Sequence, residues 1–348
     1  MTQTLTEAHE QLFTRPHEDR FATWQELRDD AAAQRTRSRE VAARDCELSF
    51  ETDGIVRFGD EPLQLTNLSL TQLAGAARLP MGVLQRLTPE TRARALSETF
   101  TRSRRFRVGL VEDSRLRAST SDNYVRVFDD EILDRVDRWL IGAGFQPAVP
   151  TDGGPNARGD NLPALYRSDR DMFVFAYSQE LTTPRFGGLR RGIFIQNSET
   201  GCRSLRYQTF VLRQVCQNHL VLGATDVVSR SARHTGKIRE FVNEFDQDLR
   251  RISAEVSPME LKLVERAART PFARADDHAA VLRRLQSQFR VPRRLAEAAV
   301  NAMSDEDNPD DSSVWSVVNG LTAAARDEAY AADRTAIAEL AGQVLLAR

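Results

Sequence analysis

The spacing of apolar residues predicts strands and helices in alternation over the first two thirds of the chain. Residues 46–66 alternate polar and apolar around Asp53-Gly54 and Gly59-Asp60, which predicts a short hairpin. Apolar positions at helical spacing follow in residues 69–100, with Pro80 as a break and Thr88-Pro89 as a restart. Strand-like runs and further helices then alternate. The predicted strands are 106–112, 115–118, 162–167, 171–177, 189–196 and 203–207, and the predicted helices lie near 129–142 and 209–222.

From about residue 238 the pattern is helical to the end, apart from an acidic loop at 304–312. These patterns predict an α+β fold with a mixed or antiparallel sheet core and packed helices, followed by an all-helical C-terminal part. We expect a polar helical N-terminal extension at 1–45, a core domain at 46–245 and a helical region at 250–348.

Composition indicates an ordinary globular protein with reduced thiols. The 348 residues carry a net charge of −2, and 41% of them are hydrophobic. No apolar run approaches the roughly 18 residues that a membrane span needs, and the N-terminus lacks the pattern of a secretory signal. The cysteines, Cys46, Cys202 and Cys216, are odd in number and have no CxxC spacing. We expect a cytoplasmic protein without membrane contact or bound cofactor.

Arginine replaces lysine almost completely in this chain. Of 48 basic residues only Lys237 and Lys262 are lysines, so 46 are arginines. A genome rich in G and C would explain the bias. Whatever its origin, any anion site here is built on guanidinium groups, which bind phosphate through two hydrogen bonds at once and stack on bases.

Two arginine clusters and one short motif are candidates for binding phosphate. The first cluster surrounds Phe106 and continues on the next strand, and the second lies around the turn at residues 197–201. The motif at 233–237 supplies two cations, an imidazole and a glycine, as an anion-binding turn does. The competing interpretations are a solvated strand edge for the first cluster and plain turn chemistry for residues 197–201. The candidate residues are Arg102, Arg104, Arg105, Phe106, Arg107, Arg117, Tyr124, Arg190, Arg191, Arg203, Arg206, Tyr207, Arg233, His234 and Lys237.

Three other candidate sites compete with these clusters. Residues 73–87 resemble a helix-turn-helix, although Arg78 stands where the turn usually has glycine, so an ordinary helical hairpin is the competing interpretation. A zinc site would need Cys202, Cys216, His219 and His234, whose spacing matches no familiar module. A magnesium-dependent nuclease would use Asp169, Asp171 and Glu199, with His234.

Several segments resemble one family, the phage/plasmid-like DUF932 proteins of unassigned function. They are Leu65-Thr66 with Gln72-Leu73-Ala74, Arg117-Ala118 with Ser121-Asp122 and Tyr124, Gly192-Ile193 with Asn197-Ser198-Glu199-Thr200-Gly201, Val215-Cys216-Gln217-Asn218, Arg233-His234-Thr235-Gly236, and Trp315 with Asn319 and Thr322. The resemblance covers about residues 46–345, and His219 departs from it. It implies a role in the DNA metabolism of mobile elements and supplies no catalytic residues.

The sequence therefore favours a nucleic-acid-binding protein that acts on single-stranded DNA in recombination, annealing or replication. In this interpretation arginines hold phosphates, while Phe106, Tyr124 or Tyr207 stacks on bases. Several copies would line one strand, so a homo-oligomer is expected. The alternatives are a metal-dependent nuclease or phosphoryl-transfer enzyme, and a non-catalytic protein-interaction module.

Overall fold

The computed structural model has the expected α+β architecture, with two sheets and a helical C-terminal part. It describes residues 16–52, 54–148, 162–178, 189–213, 221–222, 229–254, 258–274, 277–305, 312–325, 337 and 340–345. Cys216, Asn218 and His219 lie outside these ranges. In the described part of the chain, no helix combines the length and the apolar character that crossing a bilayer requires.

The first sheet is mixed and has the strand order β1-β5-β6-β4-β3-β2. The predicted hairpin is confirmed and extended, because β2, β3 and β4 form two successive antiparallel hairpins. The one parallel pair in this sheet joins β4 to β6. Strand β1 precedes residue 46 and pairs with β5 along its whole length, so the expected domain boundary cuts through this sheet. The strands are β1 Ser38–Arg44, β2 Leu48–Phe50, β3 Ile55–Phe58, β4 Glu61–Leu65, β5 Phe106–Glu112 and β6 Arg115–Ser121.

Helices α2 (Asn67–Ala76), α3 (Met81–Leu84) and α4 (Pro89–Thr101) pack against this sheet. Thr88 caps α4 by accepting a hydrogen bond from the Thr91 backbone, as its sequence predicts. Arg78 does adopt a left-handed backbone, with φ at 57°. The helix that follows it is a single turn, too short to fill a DNA groove, so residues 73–87 form an ordinary helical hairpin.

The second sheet has the order β12-β11-β10-β9-β7, with β13 beside β11 and β8 beside β9. The expected helix near 209–222 is wrong at residues 209–213 and 221–222, which are strands, and residues 214–220 lie outside the described ranges. Strand β11 runs on to Arg213 and pairs with β10 from Arg206 onward, because Thr209 and Val211 continue a β-branched alternation. The strands are β7 Phe145–Pro147, β8 Leu165–Arg167, β9 Met172–Ser178, β10 Leu189–Asn197, β11 Leu205–Arg213, β12 Val221–Leu222 and β13 Ser229–Ala232.

Three helices cover one face of the second sheet: α1 (Trp24–Arg37), α5 (Asp129–Trp139) and α6 (Ile238–Ala254). Helix α6 carries its apolar face into this core as far as Ile252, beyond the boundary expected from the sequence. A separate apolar core holds the remaining helices together. These are α7 Pro258–Arg269, α8 His278–Gln288, α9 Arg293–Asp305 and α10 Val314–Ala324.

Candidate functional site

A cavity of about 440 Å³ lies between the two sheets. Three separate segments meet there: the end of β6, the turn between β10 and β11, and the segment that joins β13 to α6. Each of the three belongs to one of the sequence motifs described above. The lining residues are Ser121, Asn123, Tyr124, Gln196, Gly201, Cys202, Arg203, Ser204, Arg206, Arg233, His234 and Thr235.

Polar and apolar atoms both line the cavity, which becomes cationic toward its mouth. Gln196 and His234 are buried, so they mark its inner part. Arg203 and Arg233 are exposed and mark its opening, while Arg206 is half-buried. Asp171 opposes this charge in part, because its carboxyl lies 3.9 Å from the Arg203 guanidinium. The cavity therefore favours an anionic ligand at its mouth.

His234 provides a neutral imidazole at the inner end. Its Nδ1 lies 3.3 Å from the Val125 carbonyl oxygen. A carbonyl can only accept, so Nδ1 carries the proton and Nε2 keeps its lone pair. Burial, together with Arg126 and Arg239 nearby, lowers the pKa of His234 to about 4. The buried Nε2 has no hydrogen-bond partner within the described structure.

Tyr124 holds the histidine ring in place. The two rings stack with centroids 4.9 Å apart and planes 16° from parallel. The Tyr124 hydroxyl donates to the Ser198 carbonyl oxygen at 2.6 Å. Burial raises the pKa of this phenol, so it stays protonated at neutral pH. Because His234 already occupies one face of the Tyr124 ring, a base cannot stack there.

The turn that follows β10 anchors the cavity to the first sheet through Glu199. This buried carboxylate accepts a hydrogen bond from Arg117 Nη1 at 3.1 Å and another from the Asp129 backbone at 2.9 Å. Arg126 donates to the Glu199 carbonyl oxygen. Turn geometry alone therefore does not account for this segment, because its glutamate joins β6, α5 and β10.

A second buried carboxylate, Asp129, lies beside Glu199. Asn197 Nδ2 donates to it at 2.8 Å and Arg167 Nε at 3.1 Å. Burial and the neighbouring Glu199 raise the pKa of Asp129 to about 7, and Arg167 opposes that shift. These ion pairs fix the relative position of the two sheets below the cavity.

Gly201 closes the turn at a position that no other residue fits without strain. Its φ is +82°, a left-handed conformation. A Cβ on this residue would lie 3.2 Å from Thr120 Cγ2 and 3.5 Å from the Tyr124 ring. The sequence predicts this glycine as part of a turn, and its lack of a side chain also lets the turn approach the cavity wall.

The structure brings two predicted groups of residues together at one end of the first sheet. Arg107 pairs with Ser121 in the β5–β6 register, so the exposed segment before Arg107 lies one strand away from the cavity. Phe106 in that segment is 47% exposed, and the Arg44 guanidinium lies 5.2 Å from its ring centroid. We define the basic surface as Arg102, Arg104, Arg105, Phe106, Arg203, Arg206, Arg233 and Lys237.

Other predicted residues lie inside the protein. Arg107 makes a buried ion pair with Asp45, and the Tyr207 hydroxyl donates to Asp248 at 2.6 Å. Arg117 is bound to Glu199, as described above. These three residues stabilise the fold, and the basic surface leaves them out.

The two predicted residues on β10 also stay outside the basic surface. Arg191 donates to the Ile252 carbonyl oxygen at 2.6 Å and so ties β10 to α6. The side chain of Arg190 lies outside the described part of the structure.

Within the described ranges, the candidate metal ligands are not gathered into one group. In the described ranges no three His, Cys, Asp or Glu side chains are placed to hold an ion together. Asp169 is exposed, whereas Asp171 is buried beside Gln196 and Glu199 is held by arginines. Two of the four residues considered for zinc, Cys216 and His219, lie outside the described ranges.

Sequence reasoning missed Gln196 and the structural part played by Asp129. Gln196 follows three apolar positions of β10 and is buried, so a polar residue at the end of an apolar strand was the available signal. Asp129 begins α5, where an acidic residue is ordinarily explained by the helix dipole. Only the approach of Glu199 reveals its other role.

A family model described as "Domain of unknown function (DUF932)" matches residues 162–339. That range includes the β10–β11 turn and the segment from Arg233 to Thr235, and it excludes Ser121, Asn123 and Tyr124. Comparisons with curated proteins and with solved structures gave no match.

Proposed function

This chain belongs to the DUF932 family, and from that premise we propose that it binds single-stranded DNA along the basic surface. The observation that carries the proposal is the cationic cavity beside a second exposed group of arginines. Both groups lie at the same end of the first sheet, which the Arg107–Ser121 pairing establishes. In this proposal the two groups form one cationic track with an exposed aromatic ring.

The exposed arginines suit a phosphate backbone better than isolated anions. Arg102, Arg104 and Arg105 are exposed in the short segment before β5, and Arg233 and Lys237 are exposed in the segment that precedes α6. Guanidinium groups bind phosphate through two parallel hydrogen bonds, which supports affinity without reading sequence. The net charge of −2 means that attraction depends on this local cluster and not on the whole protein.

A single strand fits this surface better than a duplex. Phe106 is exposed enough to stack on an unpaired base, which a duplex does not offer. The helical hairpin at 73–87 supplies no helix for a major groove. Several copies along one strand would join their short tracks, so we also propose a homo-oligomer on DNA.

The setting of this activity is proposed on the same basis. Cys46 and Cys202 are both free thiols in the described structure, which suits a reducing cytoplasm. The resemblance implies a place in recombination, annealing or replication of mobile-element DNA.

A salt titration tests DNA binding directly. We expect a fluorescently labelled 30-nucleotide strand to bind at about 50 mM salt, with affinity that falls steeply as salt rises, because each phosphate contact contributes a slope of about −0.7 in log K against log salt. Replacing Arg203 and Arg233 with alanine should reduce the slope by about 1.4. The control replaces Arg283 and Arg293, which are exposed on the C-terminal helices, with alanine.

The proposal fails if no binding is seen at about 50 mM salt, or if affinity does not change with salt. It also fails if the control pair reduces binding as much as the cavity pair does, because the effect would then reflect net charge alone. Triple replacement of Arg102, Arg104 and Arg105 tests the other half of the basic surface in the same way.

A further inference from the structure

The first sheet ends on one side at β1, whose outer edge carries backbone groups without partners. Just past the strand, in register with the β1–β5 pairing, the Asp45 N–H donates to the Arg105 carbonyl oxygen at 2.8 Å. Antiparallel strands bond through every second residue, so the odd-numbered residues of β1 face β5. The N–H and C=O groups of Glu40 and Ala42 therefore point away from β5, and within the described ranges they make no hydrogen bond.

The protein closes both ends of this edge and leaves its middle open. At one end Arg35 Nη1 donates to the first carbonyl oxygen of β1 at 3.3 Å. At the other end the Arg44 N–H donates to Glu47 Oε2 at 2.7 Å. Glu40 and Ala42, between these ends, are both exposed. An exposed edge with unpaired backbone groups is a template for one more strand.

The charges on β1 fit a second copy of the same strand in one register. Charged side chains on an edge usually keep other strands away. An antiparallel pairing centred on Ala42, however, places Glu40 of each copy opposite Arg44 of the other. A pairing centred on Glu40 would oppose two carboxylates, and one centred on Val41 would pair neither charge. The sequence of the edge is thus complementary to itself when Ala42 lies at the centre.

Both charged side chains are available for this contact. Glu40 Oε1 accepts a hydrogen bond from Arg126 Nε at 2.8 Å, and 44% of the glutamate side chain is still exposed. Arg44 is exposed, and its guanidinium lies against the Phe106 ring with 5.2 Å to the centroid. At the centre Ala42 presents only a methyl group, so two backbones meet there without a steric obstacle.

We infer that two copies of this chain pair through β1 in an antiparallel ladder centred on Ala42, which joins their first sheets. The Ala42 N–H of each copy donates to the Ala42 carbonyl oxygen of the other, and the Glu40 N–H donates to the Arg44 carbonyl oxygen. The same surface is used on both copies, so the assembly closes as a dimer. This inference rests on the homo-oligomer of the proposed function and gives it a contact surface.

The pairing brings two basic surfaces to one face of the joined sheet. Phe106 lies opposite Arg44 in the β1–β5 register, and residues paired in this way point to the same face. With strands about 4.8 Å apart and a rise of about 3.4 Å per residue, the two Phe106 Cα atoms would be about 20 Å apart in a flat sheet. One DNA strand that spans this distance contacts both copies.

Analytical ultracentrifugation of the full chain without DNA tests the dimer. We expect the average mass to approach that of two chains as the protein concentration rises to about 100 μM, a range in which a short interface is populated. A mass of one chain at that concentration would overturn the inference, and so would a mass that rises beyond two chains without levelling off.

Two substitutions test the contact and its register. Ala42→Pro removes the central N–H, which makes no bond to β5, so the first sheet keeps its ladder while the dimer dissociates at least about tenfold more readily. Arg44→Glu sets two carboxylates against each other and should weaken the dimer by a similar factor. Because Arg44→Glu leaves the backbone groups in place, it supplies the test even if Ala42→Pro does not fold.

The matched control is Arg94→Glu, which changes the charge equally on α4, where the Arg94 side chain is 80% exposed. It should dimerise as the wild type does. Wild-type dimerisation by a folded Ala42→Pro or by Arg44→Glu would overturn the inference, as would a control that weakens the dimer as much as Arg44→Glu does.

Measuring mass and DNA binding separately distinguishes this inference from the proposed function. A chain that binds the labelled strand but stays monomeric without DNA overturns the inference and leaves DNA binding intact. A chain that dimerises through β1 but binds no DNA supports the contact and overturns the proposed function. A monomer that binds no DNA overturns both.

Discussion

At the scale of single residues, burial moves two ionisable groups in opposite directions around the cavity. It keeps the base His234 neutral and favours the protonated form of the acid Asp129. A charged neighbour shifts each pKa in the same direction as burial does: Arg126 lowers the pKa of the histidine, and Glu199 raises the pKa of the aspartate. Both residues therefore make the stability of the fold depend on pH, with opposite signs.

His234 should stabilise the fold above pH 6.5 and lose that contribution in acid. Its pKa of about 4 in the folded protein is below the usual 6.5, so acid protonates the unfolded chain first. The difference in unfolding free energy between the wild type and His234→Phe should shrink as pH falls from 6.5 to 4, by up to about 3 kcal/mol. Urea unfolding at several pH values measures it.

The exposed His278 gives the matched control for that series. If His278→Phe shows the same trend, the trend comes from losing any histidine. A difference that grows toward pH 4 would mean that the folded protein favours the protonated ring at position 234.

Asp129 should have the reverse effect. Its pKa of about 7 is above the usual range, so the folded protein holds a proton that the unfolded chain releases between about pH 4 and 7. The melting temperature of the wild type relative to Asp129→Asn should therefore fall as pH rises through this window. A relative melting temperature that rises with pH would show that Arg167 dominates and lowers the pKa instead.

At the scale of secondary-structure elements, two glycines allow close contacts that side chains would prevent. Gly201 lets the turn after β10 pack closely against Thr120 and Tyr124. Gly320 lies in α10, where a Cβ would be only 2.2 Å from the Ala299 carbonyl oxygen of α9. The pairing of these two helices thus depends on the absence of one methyl group.

Gly320→Ala should destabilise the C-terminal helices by about 1–3 kcal/mol, since α9 and α10 must separate to admit the methyl group. Gly75→Ala is the matched control, because Gly75 is exposed on α2 and a Cβ there meets nothing within 4 Å. The control should be neutral or stabilising by up to about 1 kcal/mol. Thermal unfolding compares the two, and equal effects would contradict the close contact.

At the scale of the whole molecule, the apolar residues of the described part are divided among four clusters. One core lies between the second sheet and helices α1, α5 and α6, and another fills the C-terminal helices. The two cores share no described residue. The cavity lies between the two sheets, so its geometry depends on the first core and on the ion pairs of Glu199 and Asp129.

Hydrogen exchange should show that these cores open separately. Gly320→Ala should raise exchange in α9 and α10 while α5, α6 and β10 keep their protection. The DNA affinity of this variant should match that of the wild type. Uniform loss of protection across the molecule would show instead that the two cores unfold as one unit.

The sequence by itself determined the fold class and most strands and helices, and its motifs include the three segments that meet at the cavity. Alternation and capping residues are local signals, so they predicted the hairpins of the first sheet and the start of α4. They failed at residues 209–213, where pairing with β10 favours a strand over the helix that the apolar run allowed. Local pattern also could not show that β1 joins β5.

Only the tertiary structure decided which arginines face solvent and which are bound inside. Nothing in the sequence distinguishes Arg107 and Arg117 from Arg105. In the fold, however, Arg107 is buried in an ion pair with Asp45, and Arg117 is buried in one with Glu199, and both partners are distant along the chain. The cavity likewise joins residues from three segments up to 114 positions apart. Ion pairs and cavities depend on long-range contacts, which residue spacing along one segment does not encode.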